Sequence, residues 1–216
     1  MLFCIFIFTS CKKDGSNPIA SSDYETDSTI TYSEKIYHKV KIGTQTWLKE
    51  NLDVGVMIHG KDLAKNNGII EKYCYNDSIA NCDKYGGLYQ WNEAMQYVTT
   101  QGTQGICPTG WHIPTFAELQ TLDSLENQDG NSLKAVGQGT GPGAGTNTSG
   151  FSVLLAGFRQ YNGTLGGLGN ITGIWSSTEN GSANAYYVYL WGGVSDISFS
   201  LIDKGYGFSV RCVKDF

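Results

Sequence analysis

The side chains that could support catalysis are scattered along this sequence and form no recognisable catalytic motif. A serine nucleophile needs a neighbouring base, but the sequence contains no Gly-x-Ser-x-Gly motif. Its three histidines, His38, His59 and His112, lie far apart in the chain. His112 stands directly before a predicted helix, which favours a structural role over a catalytic one. We therefore predict no catalytic residue.

Carboxylates that could cooperate in glycoside hydrolysis are present, but nothing in the sequence pairs them. Such enzymes hold two carboxyl groups at a set separation. The candidates are Glu50, Asp53, Glu93, Glu118, Asp123 and Glu179. Glu118 already has a role as a helix cap, so a hydrolase or modifying enzyme is the least favoured class of function.

A two-stranded ribbon near the end of the sequence carries residue types suited to binding. Residues 185–202 alternate between apolar and polar types on either side of Gly192-Gly193, which predicts a hairpin with a two-residue turn. With that turn, Tyr189 opposes Asp196 and Tyr187 opposes Ser198, and paired residues share a face. The other face is predicted core and carries Tyr186, Val188, Ile197 and Phe199.

The predicted ligand-binding residues are those on the exposed face of the ribbon. They are Tyr187, Tyr189, Trp191, Asp196 and Ser198. Aromatic rings supply flat apolar area with polar tips, which suits stacking on sugars or contact with a protein surface. The alternative is that these rings pack beneath a loop, such as the glycine-rich residues 137–150.

Metal sites have little support in the sequence. Zinc needs closely paired cysteines with further Cys or His ligands, and there is no Cys-x-x-Cys. Carboxylate and amide oxygens bind calcium, and Glu179-Asn180 is a weak candidate for that role. No cofactor is predicted, although calcium remains open.

The first residues of the chain indicate export. Leu2 to Phe8 are apolar and lead into Thr9-Ser10-Cys11, a signal-peptide pattern too short to span a bilayer as a helix. Phe8 to Cys11 resembles the lipobox of bacterial lipoproteins, with Phe8 where Leu is usual. The resemblance implies a signal peptide over residues 1–10 and a lipid on Cys11. The alternative is a buried first strand.

A polar segment follows the leader. Residues 12–33 are dominated by Ser, Thr, Asp and Lys and have little apolar surface to bury, so we expect residues 11–33 to be a flexible tether. A lipid and a tether would hold a domain over residues 34–216 off a membrane. The charged run after Cys11 is typical of lipoproteins exposed at the outer-membrane surface.

The cysteines indicate disulfides. Cys4 lies in the predicted signal peptide and Cys11 is the predicted lipid site, which leaves Cys74, Cys82, Cys107 and Cys212, and an exported domain with an even number of cysteines is typically cross-linked. Four cysteines allow three connectivities. We favour Cys74–Cys82, which encloses a short polar loop, with Cys107–Cys212, which encloses most of the domain.

Local patterns predict a mixed domain. Residues 36–48 alternate around Gly43-Thr44 and predict an opening hairpin. After Pro114, Thr115 and Glu118 form a capping-box signature for a helix.

Charged residues make up only 16% of the chain, against ~25% in typical domains. The net charge is −5 with no basic block in the domain, which argues against nucleic acid as a partner.

Six ordered motifs resemble the major paralogous domain of Fibrobacter succinogenes, over about Lys35 to Asp215. The motifs are Lys41-Ile-Gly-Thr-Gln-Thr-Trp47, Tyr73-Cys-Tyr-Asn76, Tyr85-Gly-Gly-Leu-Tyr89, Cys107-Pro-Thr-Gly-Trp-His-Ile-Pro-Thr115, Trp175-Ser-Ser-Thr-Glu179 and Gly207-Phe-Ser-Val-Arg-Cys-Val213.

The resemblance implies an α+β domain with a C-type-lectin-like fold of the formylglycine-generating-enzyme variety. Such a domain has a twisted antiparallel sheet, two or three helices and long loops. It also implies a secreted or lipid-anchored surface protein whose last ribbon can be a ligand-binding surface. The copper chemistry of the formylglycine-generating enzymes is not carried over, because all four domain cysteines already have structural assignments.

We expect a non-catalytic, adhesin-like binding module for a glycan or a protein, displayed on a bacterial outer membrane as a lipoprotein. Its partners would be the membrane, through the lipid anchor, and a surface ligand. The alternatives are a structural component of the cell envelope without a discrete ligand and, less favoured, an enzyme.

Overall fold

The computed structural model describes residues 24–26 and 28–215. Its strands are β1 (Tyr24–Glu25), β2 (Thr29–Tyr32), β3 (Lys35–Ile42), β4 (Gln45–Leu48), β5 (Val56–Ile58), β6 (Glu71–Tyr73), β7 (Tyr89–Gln90), β8 (Trp111–His112), β9 (Ala156–Arg159), β10 (Leu165–Leu168), β11 (Ile171–Asn180), β12 (Asn184–Trp191), β13 (Ile197–Asp203), β14 (Gly207–Phe208) and β15 (Val213–Lys214). Its α-helices are α1 (Ile79–Tyr85), α2 (Trp91–Ala94), α3 (Phe116–Leu125) and α4 (Gly130–Leu133). The predicted signal peptide and Cys11 lie outside the described residues.

The first sheet brings the two ends of the domain together. Its strand order is β1-β2-β3-β4-β15-β8, and all its pairs are antiparallel. The predicted opening hairpin is β3–β4, with Ile42 opposite Gln45. Val213 of β15 pairs with Trp47 on one side and with His112 on the other. The last strand therefore closes the domain onto its beginning.

The second sheet carries the ribbon. Its order is β13-β12-β11-β9-β14-β7, and β10 pairs with β9. The pairs are antiparallel except for the parallel contact between β9 and β11. A separate two-stranded sheet pairs β5 with β6. The domain is thus α+β, with sheets predominating and four short helices where two or three were predicted.

Two apolar cores lie on opposite faces of the second sheet. One core packs the fully buried Trp91, Trp111 and Trp175 with the Cys107–Cys212 bridge. The other packs helix α3, through Leu119 and Leu122, onto the β11–β12 face that carries Ile174, Val188 and Leu190. Burial of this face is what fixes which side chains of the ribbon remain accessible.

Helix α3 begins as the sequence predicts. The Thr115 hydroxyl accepts a hydrogen bond from the Glu118 backbone N–H at 3.2 Å, and the Glu118 carboxylate accepts one from the Thr115 N–H at 2.8 Å. Two backbone donors that a helix start would otherwise leave unpaired are therefore satisfied.

Both favoured disulfides are present. Cys74 is bonded to Cys82, and Cys107 is bonded to Cys212. The first bridge joins Cys74, directly after β6, to Cys82 within α1. The second joins the segment before β8 to the segment before β15, whose strands are neighbours in the first sheet.

The domain begins earlier than predicted. Part of the proposed tether, Thr29–Tyr32, forms β2 and pairs with β3. Ile30 is buried in the first core, and the Tyr32 hydroxyl donates to the Ile106 carbonyl. The β-forming residues of β2 pack on the domain and hold this strand in place. The polar residues around β2 led the sequence to predict a tether instead.

The predicted register of the ribbon is wrong by two residues. Tyr189 pairs with Ser198 rather than with Asp196. The connection between the strands spans residues 192–196 instead of two glycines. Because the shift is an even number of residues, every side chain keeps its predicted face.

Contacts from outside the ribbon hold this longer turn. Lys134 Nζ donates to the carbonyl oxygens of Trp191, at 2.8 Å, and Val194, at 2.7 Å. The Gly130 N–H donates to the Ser195 carbonyl. These partners are distant in sequence, so a local turn signal underestimates the length of the connection.

Candidate functional site

The predicted catalytic candidates have partners within the fold. His112 contacts Asp215 through Nδ1 at 2.6 Å and the Glu118 carboxylate through Nε2 at 3.0 Å. Burial acts to lower the pKa of His112, but these two hydrogen bonds outweigh it and raise that pKa. His112 thus ties the last described residues to the start of α3.

Four of the candidate carboxylates also have partners nearby. Asp53 is buried and contacts both Lys35 and Lys72. Glu50 accepts from the backbone and ring of His38 at 2.7 and 2.8 Å. Burial raises the pKa of Glu93, whose carboxylate accepts from the Tyr97 hydroxyl and the Glu71 N–H. Glu179 contacts Lys204.

One candidate carboxylate is left without a partner. Asp123 Oδ1 is buried with no hydrogen-bond partner in the described part of the chain, and burial raises the pKa of this carboxyl. It lies at the α3 face of the second core, on the side of the sheet away from the exposed aromatic rings.

The weak calcium candidates lie beside a positive charge. Lys204 Nζ contacts the Glu179 carboxylate and lies 4.1 Å from the centroid of the Trp91 ring. Asn180 pairs with Asn184 at the end of β11. No group of three or more His, Cys, Asp or Glu residues suited to a metal is found within residues 24–26 and 28–215.

The aromatic residues predicted for binding lie in one row on the face of the second sheet opposite helix α3. Tyr187 and Tyr189 stack with ring centroids 5.4 Å apart, and Tyr187 stacks on Phe208 at 4.7 Å. Trp191 follows at the end of the strand and is 48% exposed. Alternation along β12 places these three residues on the same side.

A glycine makes room for this row. Gly173 lies opposite Tyr189 on β11, and a Cβ atom there would stand 2.5 Å from the Phe208 ring. The Phe208 ring therefore lies directly over the backbone of β11. A side chain at position 173 would displace the ring and break the row.

Together these side chains line a groove of ≈ 230 Å³, which we call the ribbon groove. Its lining residues are Phe158, Gln160, Ile171, Gly173, Tyr187, Tyr189, Trp191, Ile202, Tyr206 and Phe208. Burial, and then the neighbouring Tyr189 and Tyr206, raises the pKa of Tyr187 to about 12, so its hydroxyl is protonated at neutral pH.

The two polar residues predicted for this site do not line the groove. Asp196 is exposed at the turn, where it forms an isolated bridge with Asp129. Ser198 lies across the ribbon from Tyr189. The shifted register moves both of them away from their predicted partners, and the groove lining is consequently uncharged.

Sequence reasoning missed the other wall of the groove. Ile202 could have been found, because it lies an even number of positions from Ser198 and therefore projects from the same face of the ribbon. Tyr206 and Phe208 come from the turn before β14 and from β14 itself, and their place follows only from the strand order of the sheet. No local signal carries that order.

The glycine-rich loop does not cover the rings. It reaches the backbone of the ribbon turn, where the Thr140 N–H donates to the Gly192 carbonyl at 2.7 Å. A Cβ on Gly143 would lie 2.4 Å from the Val194 nitrogen. The loop and Lys134 thus support the turn that presents Trp191, and they leave the ring row accessible.

Two wider depressions have a different character. One of ≈ 490 Å³ is lined by residues that include Asp53, Glu50 and Arg211. The Arg211 guanidinium is buried and donates to Asn51 Oδ1 and the Phe151 carbonyl, and burial lowers its pKa to about 9. The other, of ≈ 590 Å³, is formed by the residues around Lys61 to Lys65. These three groups of the first depression each have partners elsewhere in the fold. The ribbon groove is the depression lined by the aromatic residues predicted for binding, and it is therefore the candidate site.

No helix of the described residues is long and apolar enough to cross a membrane.

Comparison with known proteins places the chain in a family. Neither the curated proteins nor the solved structures contain a match to the chain. Residues 40–214 match the model of the Fibrobacter succinogenes major domain, which covers both sheets from β3 to β15. The chain therefore belongs to the Fibrobacter succinogenes major domain family, as its six motifs predicted.

Proposed function

We propose that this protein is a non-catalytic binding module that holds a glycan or protein ligand in the ribbon groove. The observation that carries the proposal is the stack of the Phe208, Tyr187 and Tyr189 rings, which is followed along β12 by the exposed Trp191. Exposed, contiguous apolar surface on a folded domain commonly marks an interaction site.

One end of the ring row is packed on the first core, and the other end is accessible to a ligand. Tyr187 packs on Phe208 and, edge-on, against Trp175 at 6.3 Å, so it joins the row to the first core. Tyr189 and Trp191 continue the row outward. The two tyrosine rings, which are held by stacking, lose little conformational entropy when a ligand binds, which favours affinity.

Display at the cell surface completes the proposal. A lipid on Cys11 would anchor the chain in the outer membrane, and the polar residues after it would hold the domain away from the bilayer. Mass spectrometry of the membrane-associated chain should find a diacylglycerol on Cys11. Release of the Cys11→Ser variant from the membrane is expected, and its unchanged retention would contradict the anchor.

The binding test compares exposed groove residues with a control outside the groove. The full chain should bind glycans on an array or intact bacterial or host cells, and Trp191→Ala should weaken that binding. Ile36→Ala is the matched control, because this side chain is 59% exposed on the first sheet. Absence of binding to all of these surfaces would instead support a structural envelope component.

A C-type-lectin-like fold is the proposed architecture. It is supported by the pairing of β4 with the closing strand β15 and by the Cys107–Cys212 bridge beside that pair. Long loops between the two sheets agree with it. A crystal structure superposed on lectin-like domains would test the assignment, and a different order of equivalent strands would refute it.

A further inference from the structure

The ribbon groove is neutral along its whole lining. None of its lining residues is Asp, Glu, Lys or Arg. An ionic ligand would give up hydration on entering such a groove and gain no opposite charge in return, which costs free energy. The lining therefore favours a ligand without formal charge.

Polar groups in the groove are available to a ligand. The hydroxyls of Tyr187, Tyr189 and Tyr206 and the side-chain amide of Gln160 make no hydrogen bond to any other residue that the structure describes. A hydroxyl can donate and accept, and an amide group does both as well. The groove thus offers mixed donors and acceptors around flat apolar faces.

The backbone at the ring row is not available. Strand β12 is hydrogen-bonded to β11 on one side and to β13 on the other. An extended peptide gains most of its affinity by adding a strand to a free sheet edge. A ligand on this face must be recognised by side chains alone, which disfavours an extended peptide.

The three side chains of the row follow one line along the strand. Residues 187, 189 and 191 project from the same side of β12 at every second position, so their Cα atoms are about 7 Å apart. The planes of the first two rings differ by 26°. A chain-shaped ligand with flat apolar faces and hydroxyl groups at its rim matches this arrangement.

We infer that the ribbon groove binds an uncharged oligosaccharide, whose sugar faces stack on Tyr189 and Trp191 while its hydroxyls bond to Gln160 and the tyrosine hydroxyls. This inference rests on the proposed function and names the ligand class for it. It depends on a neutral aromatic lining and not on a metal ion.

Isothermal titration calorimetry on the full chain tests this inference, in a polyoxyethylene detergent that carries no sugar. The probes are neutral hexasaccharides of β-1,4-glucan, β-1,4-xylan, β-1,4-mannan and β-1,3-glucan, with oligogalacturonate as the acidic comparison. At least one neutral probe should bind, and raising the sodium chloride concentration should change its affinity by less than about twofold, because no ion pair is screened.

Variants locate the binding. Trp191→Ala and Tyr189→Ala should each weaken binding roughly tenfold, the equivalent of one lost ring-stacking contact. Tyr189→Phe keeps the ring and should retain most of the affinity, and Ile36→Ala should bind like the wild-type chain. Circular dichroism establishes that each variant is folded.

Three results would overturn the inference, and they separate it from the proposed function. Binding of oligogalacturonate in preference to every neutral probe would refute a neutral ligand. Binding of no neutral probe, together with binding of a purified protein that Tyr189→Ala abolishes, would refute the sugar and keep the groove. Binding that survives both Tyr189→Ala and Trp191→Ala would refute both proposals.

Discussion

The two disulfides should differ in their contribution to stability by an amount that their loop lengths set. Cys107 and Cys212 are 105 positions apart, whereas Cys74 and Cys82 are 8 apart. In the chain-entropy model, the long loop contributes about 4.8 kcal/mol at 25 °C and the short one about 2.5 kcal/mol. Removing the long bridge should therefore cost about 2 kcal/mol more.

The comparison is well matched because all four cysteines are buried. Replacing each pair by alanine leaves similar small cavities, so the difference between the two variants isolates the loop term. Urea unfolding followed by circular dichroism measures the free energy of unfolding of each variant. The long-loop variant should also show the larger m-value, because its unfolded chain is less compact. An equal loss of stability in both variants, or a larger loss for the Cys74–Cys82 pair, would refute the reasoning.

Three further variants test individual contacts. Lys134→Met removes the donor to the Trp191 carbonyl and should cost about 2–3 kcal/mol, with faster hydrogen exchange at the ribbon turn as the readout. Gly173→Ala should cost about 1–3 kcal/mol by displacing the Phe208 ring, measured by thermal unfolding. The raised pKa of His112 contributes stability that is complete below about pH 6.5 and is lost as pH rises through the folded value, so unfolding free energies of His112→Gln should depend less on pH above 6.5.

Each of these outcomes has a control or a contradicting result. Ile36→Ala, on the exposed side of the first sheet, should leave exchange at the ribbon turn unchanged. Wild-type stability in Gly173→Ala would show that the Phe208 ring moves without cost. If the free energy of unfolding of His112→Gln changes with pH in parallel with that of the wild-type chain, the contacts of His112 with its two carboxylates do not cause the pH dependence.

Local signals predicted the parts of this domain that local chemistry determines. Thr115 and Glu118 identify a helix start because both partners of the capping box lie within one turn. Gly43-Thr44 identifies the opening hairpin for the same reason. The face of each ribbon side chain was also predictable, because strand alternation survives a register error of two residues.

Features set by distant partners were not predictable. The ribbon turn is longer than Gly192-Gly193 suggests because Lys134 binds carbonyl oxygens on either side of those glycines. The groove needs Phe208, which joins it only through the order of strands in the second sheet. Asp196 was assigned to the site because the assumed register placed it opposite Tyr189.

The support for the ribbon turn acts only on the backbone. Lys134 and the Thr140 N–H contact carbonyl oxygens of residues 191, 192 and 194, and neither touches the Trp191 side chain in these contacts. Any residue able to adopt a strand conformation at position 191 would be presented in the same place. The side chain at position 191 can therefore change while the backbone of the turn stays fixed, and single substitutions there should leave the fold intact.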